Sequence, residues 1–154
     1  MDLNIEKDLK IERVLNVSCE KIWSCWTTPE YISHFFIPSP HRITHCEINL
    51  KVGGKFNTTF EVDGNEIQNH GVYLDIIDQE KLVFTDAYTE GWQPTEHPFL
   101  TVIILLEDLG NDQTKYTVIA RHWTAEARQS HENMGFQTGW NIVIDQLEQY
   151  AQTL

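Results

Sequence analysis

GWNIVIDQLEQYAQTL, residues 139–154, has an apolar side chain at every third or fourth position, with polar residues such as Asp145 and Glu148 between them. The apolar set is Trp140, Val143, Ile144, Leu147, Ala151 and Leu154. This period predicts a long amphipathic helix at the C-terminal end of the sequence. Glycine is unfavourable inside helices, so we expect Gly135 and Gly139 to kink this helix or to delay its start.

The region before this helix has the alternating, β-branched pattern that is typical of strands. Six segments share this pattern: residues 42–49, 55–62, 66–77, 81–88, 99–108 and 114–123. Short turn signals such as Asp63-Gly64 separate them, which predicts hairpins and therefore antiparallel neighbours. Residues 9–17 form a further predicted strand. Ser18 then caps a predicted first helix, and Pro29 begins a second short helix that we expect to run to Phe36.

The order of elements is one strand, two short helices, about six antiparallel strands and one long helix. The apolar face of the last helix needs a partner, and the concave face of a curved sheet is the surface available to it. We therefore predict an α+β fold in a single domain spanning residues 1–154. In this arrangement Trp140 should be largely buried against strand aromatics, and Gly139 should mark a close approach of the helix to its neighbours.

Composition argues against several classes of partner. The chain has 23 Asp and Glu against 11 Lys and Arg, a net charge of −12, which disfavours binding to nucleic acid or to an anionic membrane. Three cysteines without zinc spacing argue against a metal site and against a secreted disulfide framework. The N-terminus MDLNIEKDLKIER lacks the apolar run of a signal peptide, so we expect a cytoplasmic protein. No cofactor is expected.

Motifs for covalent or nucleotide chemistry are missing from the sequence. It contains no nucleophile elbow, phosphate loop or dinucleotide-binding fingerprint. A binding protein is therefore favoured over an enzyme. Proton-transfer catalysis needs only one positioned acid or base, however, and the candidates for that role are His122 and Asp86.

Four motifs in order carry a resemblance that covers nearly the whole chain. They are Ile22-Trp23 with Thr27-Thr28-Pro29-Glu30; NLKVGGKF at 49–56; GVYLDII at 71–77 with EKLVFT at 80–85; and Met134-Gly135-Phe136 with Gly139-Trp140 and Leu147. The chain resembles the START-like (SRPBCC) superfamily with the helix-grip fold. Within it, the chain is similar to the family of activator of heat-shock protein 90 ATPase homologues, whose relatives include polyketide cyclases and toxin-sequestering proteins. The resemblance implies a largely apolar cavity between the last helix and the sheet.

The leading hypothesis is a protein that binds a small hydrophobic or aromatic molecule in this cavity. The expected apolar lining is Trp23, Phe60, Phe84, Phe99, Met134, Trp140 and Ile144, and the expected polar groups are Asp86, Tyr88 and His122. Alternation along residues 114–123 allows either face of that strand to point inward, and the family pattern favours the face that ends in His122.

Two further functions remain open at the level of sequence. One is a chaperone-associated protein that acts with a heat-shock ATPase, as the family name suggests. The other is an enzyme of the cyclase or hydrolase type that uses His122 or Asp86 as a general base. The sequence does not indicate an oligomeric state.

Overall fold

The structure, a computed structural model, describes residues Met1–Leu154 and contains nine strands. They are β1 (Asp8–Leu15), β2 (Arg42–Ile48), β3 (Lys55–Val62), β4 (Asn65–Ile77), β5 (Lys81–Thr85), β6 (Tyr88–Thr89), β7 (Gln93–Pro94), β8 (Thr101–Gly110) and β9 (Gln113–Arg121). Seven of them form one antiparallel sheet in the order β1-β9-β8-β5-β4-β3-β2, and β6 and β7 pair separately as a two-stranded ribbon. The first and last long strands are thus neighbours.

Four helices accompany the strands: α1 (Cys19–Thr27), α2 (Pro29–Ile32), α3 (Ala125–Asn133) and α4 (Phe136–Ala151). The Ser18 hydroxyl accepts from the Lys21 amide at 3.3 Å and caps α1, as predicted. The second helix is shorter than expected and ends at Ile32 rather than at Phe36. The next amides bond back to the carbonyls of Tyr31 and Ile32 in separate turns, so the helix does not continue.

The C-terminal helix begins where the glycine pattern placed a break. Gly135 has φ +96°, a left-handed conformation, and it separates α3 from α4. Gly139 lies inside α4 without interrupting it. The sequence did not predict α3 as a helix of its own, because none of its residues is buried and it has no apolar period. None of the four helices has both the length and the hydropathy that a membrane span requires.

The core lies between the inner face of the sheet, α1 and the apolar face of α4. Ile144, Leu147 and Ala151 of α4 are fully buried there. On β9, the face that carries Tyr116, Val118 and Ala120 joins this core, as the family pattern favoured. The opposite face of the same strand places Ile119 in a separate cluster, with Val83 and Ile103, on the outer side of the sheet.

Polar contacts fix α4 at its flanks. The Arg13 guanidinium of β1 donates to Asp145 at 2.7 Å, and the Asn16 amide donates to Glu148 at 2.7 Å. On the other side, the Gln146 amide group donates to the carbonyls of Phe35 and Ile37 at 2.9 and 2.8 Å. These bonds hold α4 against the sheet edge and against the loop after α2. The α+β helix-grip fold predicted from the sequence is confirmed.

Candidate functional site

A cavity of about 240 Å³ lies between the N-terminal half of α4 and strands β3, β4, β5 and β8. Its apolar lining consists of Phe36, Phe56, Phe60, Phe84, Phe99, Leu100, Val102 and Trp140. An apolar protein cavity of about 150 Å³ is known to hold benzene. The space here therefore suits a molecule with one or two rings.

Phe36, in the loop after α2, is the centre of the aromatic wall. Its ring centroid lies 5.8 Å from that of Phe56, 5.9 Å from Phe60 and 6.2 Å from Phe84. It also meets Trp140 of α4 at 6.2 Å, at an interplanar angle of 67°. Most of these contacts are edge-to-face, which is the favoured geometry for aromatic pairs. The wall is held by rings that support one another, and it leaves space beside them.

Polar side chains occupy part of the same lining. They are Thr58, Asn69, His70, Thr85, Asp86 and His131. Thr58 and Asn69 face each other across β3 and β4, and the Asn69 amide donates to the Thr58 hydroxyl oxygen at 3.4 Å. The Thr58 oxygen accepts this bond, so its own proton remains available to a ligand.

Thr85 and Asp86 mainly hold the backbone where β8 begins. The Asp86 carboxylate accepts from the Phe99 amide at 2.9 Å and from the Leu100 amide at 3.1 Å. The Thr85 hydroxyl donates to the Leu100 carbonyl at 3.2 Å and accepts from the Ala87 amide. These bonds place Phe99 and Leu100 at the cavity. They also explain why β5 ends at Thr85, three residues earlier than predicted.

Two histidines, His122 and His131, are bonded to each other at the edge of the cavity. His122, directly after β9, is buried, and its Nδ1 lies 2.9 Å from the Lys7 carbonyl oxygen. Its Nε2 lies 2.8 Å from Nδ1 of His131 on α3. The His131 ring packs 4.6 Å from Phe99 and 5.1 Å from Phe136, measured between centroids. No group of three or more His, Cys, Asp or Glu side chains is arranged to hold a metal ion.

The surroundings of His131 favour its neutral form. Burial and, as the smaller cause, the neighbouring His122 together lower the pKa of its imidazole to about 4. At neutral pH the His131 ring therefore presents one protonated and one unprotonated nitrogen.

Five of the ten predicted site residues line the cavity. These are Phe60, Phe84, Asp86, Phe99 and Trp140. His122 lies one hydrogen bond behind the lining, since His131 stands between it and the cavity.

The other four predicted residues lie elsewhere. Trp23 and Ile144 are part of the closed core: both are buried, and Ile144 has no exposed surface. Met134 is 73% exposed at the junction of α3 and α4 and lines a neighbouring hollow. Tyr88 lies in the separate ribbon, where its exposed ring meets Trp92, because the chain turns away from β5 at Asp86.

Two expectations about α4 are wrong. Trp140 is partly buried and packs against the core, but its aromatic neighbours are Phe36 and Phe136, neither of which is on a strand, so the expected contact with strand aromatics is not made. The reason is the cavity itself, which separates the Trp140 ring from the sheet. Gly139 has no atom within 4 Å of the position that a Cβ would take, so no close approach requires a glycine there.

The site also contains residues that were not predicted from the sequence, chiefly Phe36, Thr58 and His131. The Phe35-Phe36 pair was a usable signal, since one ring of an adjacent pair often fills the core while its neighbour faces another way; here Phe35 is fully buried and Phe36 lines the cavity. Nothing in the sequence pointed to His131, because α3 has no apolar face from which its orientation could be read.

Residues 16–152 match the family model described as Activator of Hsp90 ATPase homolog 1-like protein. A crystal structure of a protein from Nitrosomonas europaea is 34% identical, with a TM-score of 0.94, covering 98% of this chain and 97% of that one. A solution structure of a protein from Arthrobacter aurescens is 21% identical, with a TM-score of 0.80, covering 99% and 91% of the two chains.

The similarity of fold extends to more distant structures. The solution structure of the AHSA1-like protein from Aeromonas hydrophila is 15% identical, with a TM-score of 0.69, covering 94% of this chain and 93% of that one. Among curated proteins, none matches the chain. The family model spans nearly all of the sequence and the Nitrosomonas europaea protein is similar along its whole length, so the chain belongs to the family of Activator of Hsp90 ATPase homolog 1-like proteins, in the START-like group.

Proposed function

We propose that this protein binds a small hydrophobic or aromatic molecule in the cavity between the sheet and α4. The observation that carries the proposal is the cavity of about 240 Å³ with eight hydrophobic residues in its lining. Protein interiors are normally packed to the density of organic crystals, and here the chain's own side chains leave an aromatic-lined space beside the core unfilled. Small-molecule sites share this combination of apolar walls and a few polar groups.

A route for the ligand is available beside α4. A second hollow of about 250 Å³ lies between the Pro38 loop, β3 and the junction of α3 and α4. It shares Phe36, Phe60, His131 and Trp140 with the cavity, so these four side chains form the partition between the two spaces. Rotation of the partly buried Trp140 ring would join them.

Simple binding is favoured over catalysis by the bonding of the two candidate bases. Both ring nitrogens of His122 are engaged, one by the Lys7 carbonyl and one by His131. The Asp86 carboxylate already accepts three hydrogen bonds from two backbone amides. Both groups therefore serve to hold the structure around the cavity.

Filling the cavity from within tests the proposal. Val102 lies on the inner face of β8 and lines the cavity, so Val102→Phe puts a ring into the space that a ligand would use. Naphthalene, added to the labelled wild-type protein, is expected to shift the amide NMR signals of cavity residues. We expect Val102→Phe to weaken this binding by at least about tenfold, because the bound molecule and the new ring compete for one volume.

Two further variants complete this experiment. Gln149→Ala, on the exposed side of α4, should leave naphthalene binding unchanged. Phe60→Trp narrows the cavity from β3 and replaces Val102→Phe if that variant does not fold. Signal shifts scattered over the outer surface, or equal binding by the filled variants and wild type, would show that the cavity is not the binding site.

A further inference from the structure

The direction of the histidine hydrogen bonds can be assigned from one end. The Lys7 carbonyl oxygen can only accept, so the His122 nitrogen that lies 2.9 Å from it, Nδ1, carries the proton. In neutral His122 the other nitrogen, Nε2, is then an acceptor. Its partner at 2.8 Å, Nδ1 of His131, must therefore be the donor. A single backbone carbonyl fixes the tautomer of both rings.

The consequence for His131 is an unprotonated Nε2. The ring is neutral and its proton is committed to His122, so Nε2 keeps its lone pair. No hydrogen bond within the protein uses this atom, whereas Nδ1 of the same ring is fully engaged. Phe99 and Phe136 pack against the ring and limit its rotation. His131 thus brings one fixed acceptor to a largely aromatic cavity.

We propose that the ligand of this cavity is an aromatic molecule bearing a neutral hydroxyl or N–H group, and that Nε2 of His131 accepts a hydrogen bond from it. This inference rests on the proposed function and specifies its chemistry. Phenols are the simplest members of the class. His122 is then a positioning residue, since it sets the tautomer of His131 without lining the cavity itself.

The charges around the cavity disfavour an anionic ligand such as an aromatic carboxylate. A carboxylate placed at His131 would meet the lone pair of Nε2 instead of a donor, and it would share the cavity with the Asp86 carboxylate. The net charge of −12 adds a general repulsion for anions. A neutral donor avoids both costs, and it can bond to Nε2 of His131, which no group of the protein uses.

The Thr58 hydroxyl is an alternative partner for the polar group of the ligand. Its oxygen accepts from Asn69, and its proton is free to donate. It lies on β3, whereas His131 lies on α3, so the two contacts belong to opposite sides of the cavity wall. A ligand hydroxyl that used Thr58 would act as an acceptor there, and the two assignments predict different sensitive variants.

The test compares three probes of equal ring size: naphthalene, 2-naphthol and 2-naphthoate. Calorimetry or NMR titration at about pH 7.5, where an ordinary phenol keeps its proton, gives their affinities. We expect 2-naphthol to bind about three- to tenfold more tightly than naphthalene, the usual range for one added hydrogen bond. We expect 2-naphthoate to bind more weakly than 2-naphthol.

Two substitutions separate the nitrogens of His131. Asparagine places an amide nitrogen near the position of Nδ1, so His131→Asn can keep the bond to His122 while it removes the Nε2 acceptor. In this variant the ratio of the 2-naphthol affinity to the naphthalene affinity should fall to about one, whatever the affinity for naphthalene itself. Glutamine reaches the position of Nε2, so His131→Gln should retain part of the advantage. Thr58→Val should leave the advantage intact.

Several results would overturn the inference. They are an advantage that persists in His131→Asn, an advantage lost in Thr58→Val instead, or tightest binding by 2-naphthoate. Failure of all three probes to bind would instead refute the proposed function. Histidine-selective ¹⁵N NMR on the wild-type protein gives a check that needs no variant. The His131 Nε2 signal should be that of an unprotonated nitrogen and should move on addition of 2-naphthol but not of naphthalene.

Discussion

The two halves of α4 pack against the sheet in different ways. In the C-terminal half, Ile144 and Leu147 are fully buried, and the nearby Trp26 indole donates to the Tyr116 hydroxyl at 2.9 Å. In the N-terminal half, Phe136 is buried, but Trp140 is only partly buried beside the cavity, and Met134, just before the helix, is 73% exposed. The C-terminal half of α4 and the core around it are therefore the closed half of the molecule. The N-terminal half of α4 and the cavity beside it are the open half, where apolar surface is left uncovered. The closed core and the proposed ligand site therefore lie on different turns of the same helix.

The difference has a local structural cause. Gly135, with φ +96°, separates α4 from α3, and α3 contributes no buried residue to the core. The wall beside Trp140 is built from rings that meet edge-to-face, such as Phe36 with Phe84. Rings in that arrangement support one another without filling the space between them. Aliphatic side chains such as Leu147 pack closely in the other half.

The largest expected effect breaks the closed half. Leu147→Ala removes a side chain with no exposed surface, and we expect a loss of about 2–5 kcal/mol in the free energy of unfolding, the range for such core truncations. Urea unfolding followed by circular dichroism measures it. Gln149→Ala, two residues further along the helix on the exposed side, should change stability by less than about 0.5 kcal/mol. Similar values for the two variants would mean that α4 is not clamped to the sheet.

A smaller effect on the free energy of unfolding is expected when the pH is lowered, because His131 lies in the open half. The pKa of His131 is lowered to about 4 in the folded protein, against about 6.5 for an unfolded chain. As pH falls from about 6.5 toward 4, the unfolded chain takes up a proton that folded His131 does not, so this contribution to stability is lost. Because the ring is only partly buried, we expect about 1 kcal/mol of the decline between about pH 7.5 and 5 to come from His131.

The variant His131→Asn isolates this contribution. It has no group that titrates in the range, so its free energy of unfolding should fall by about 1 kcal/mol less than that of wild type over the same change in pH. The measurement is a pair of urea unfolding curves at each pH. Parallel declines for the two proteins would show that His131 is protonated as easily in the folded state as in the unfolded state.

The sequence predicted the closed half better than the open half. The three-to-four-residue spacing of apolar side chains predicted α4. The alternation of side chains along β9 grouped Tyr116, Val118 and Ala120 on one face, and the family pattern indicated that this face points inward. These signals depend on burial, which leaves a clear mark on the order of apolar and polar residues. The expectation that Trp140 contacts strand aromatics was wrong, since the helical period identifies the inward face of α4 but not which side chains that face meets.

The structure of the open half depends on contacts that leave no periodic pattern in the sequence. Asp86 leaves the strand pattern because its carboxylate binds two amides thirteen and fourteen residues away. His131 belongs to a helix with no apolar face, and its role depends on a carbonyl at Lys7, more than a hundred residues earlier. Such contacts are set by tertiary structure. The residues correctly assigned to the cavity were Asp86 and the aromatic residues Phe60, Phe84, Phe99 and Trp140.

The smallest expected effect concerns two tyrosines that are both fully buried, Tyr73 and Tyr116. The Tyr116 hydroxyl, in the closed half, accepts from the Trp26 indole, whereas the Tyr73 hydroxyl has no partner. Tyr73 stacks on Phe56 of the cavity wall, with ring centroids 5.5 Å apart. A buried hydroxyl without a hydrogen bond is unfavourable, so Tyr73→Phe should leave the free energy of unfolding unchanged or raise it by up to about 1 kcal/mol.

The same substitution at Tyr116 is the control, and we expect it to change the free energy of unfolding in the opposite direction. Tyr116→Phe leaves the buried Trp26 N–H without an acceptor and should lower the free energy of unfolding by about 1–3 kcal/mol. Both variants keep the ring, so packing is nearly constant and the hydroxyl alone differs. Urea unfolding of the two proteins should therefore give shifts of opposite sign, or a loss confined to Tyr116→Phe. An equal loss in Tyr73→Phe would mean that its hydroxyl is bonded to a water behind Phe56, and the polar part of the cavity would then extend beyond Thr58 and His131.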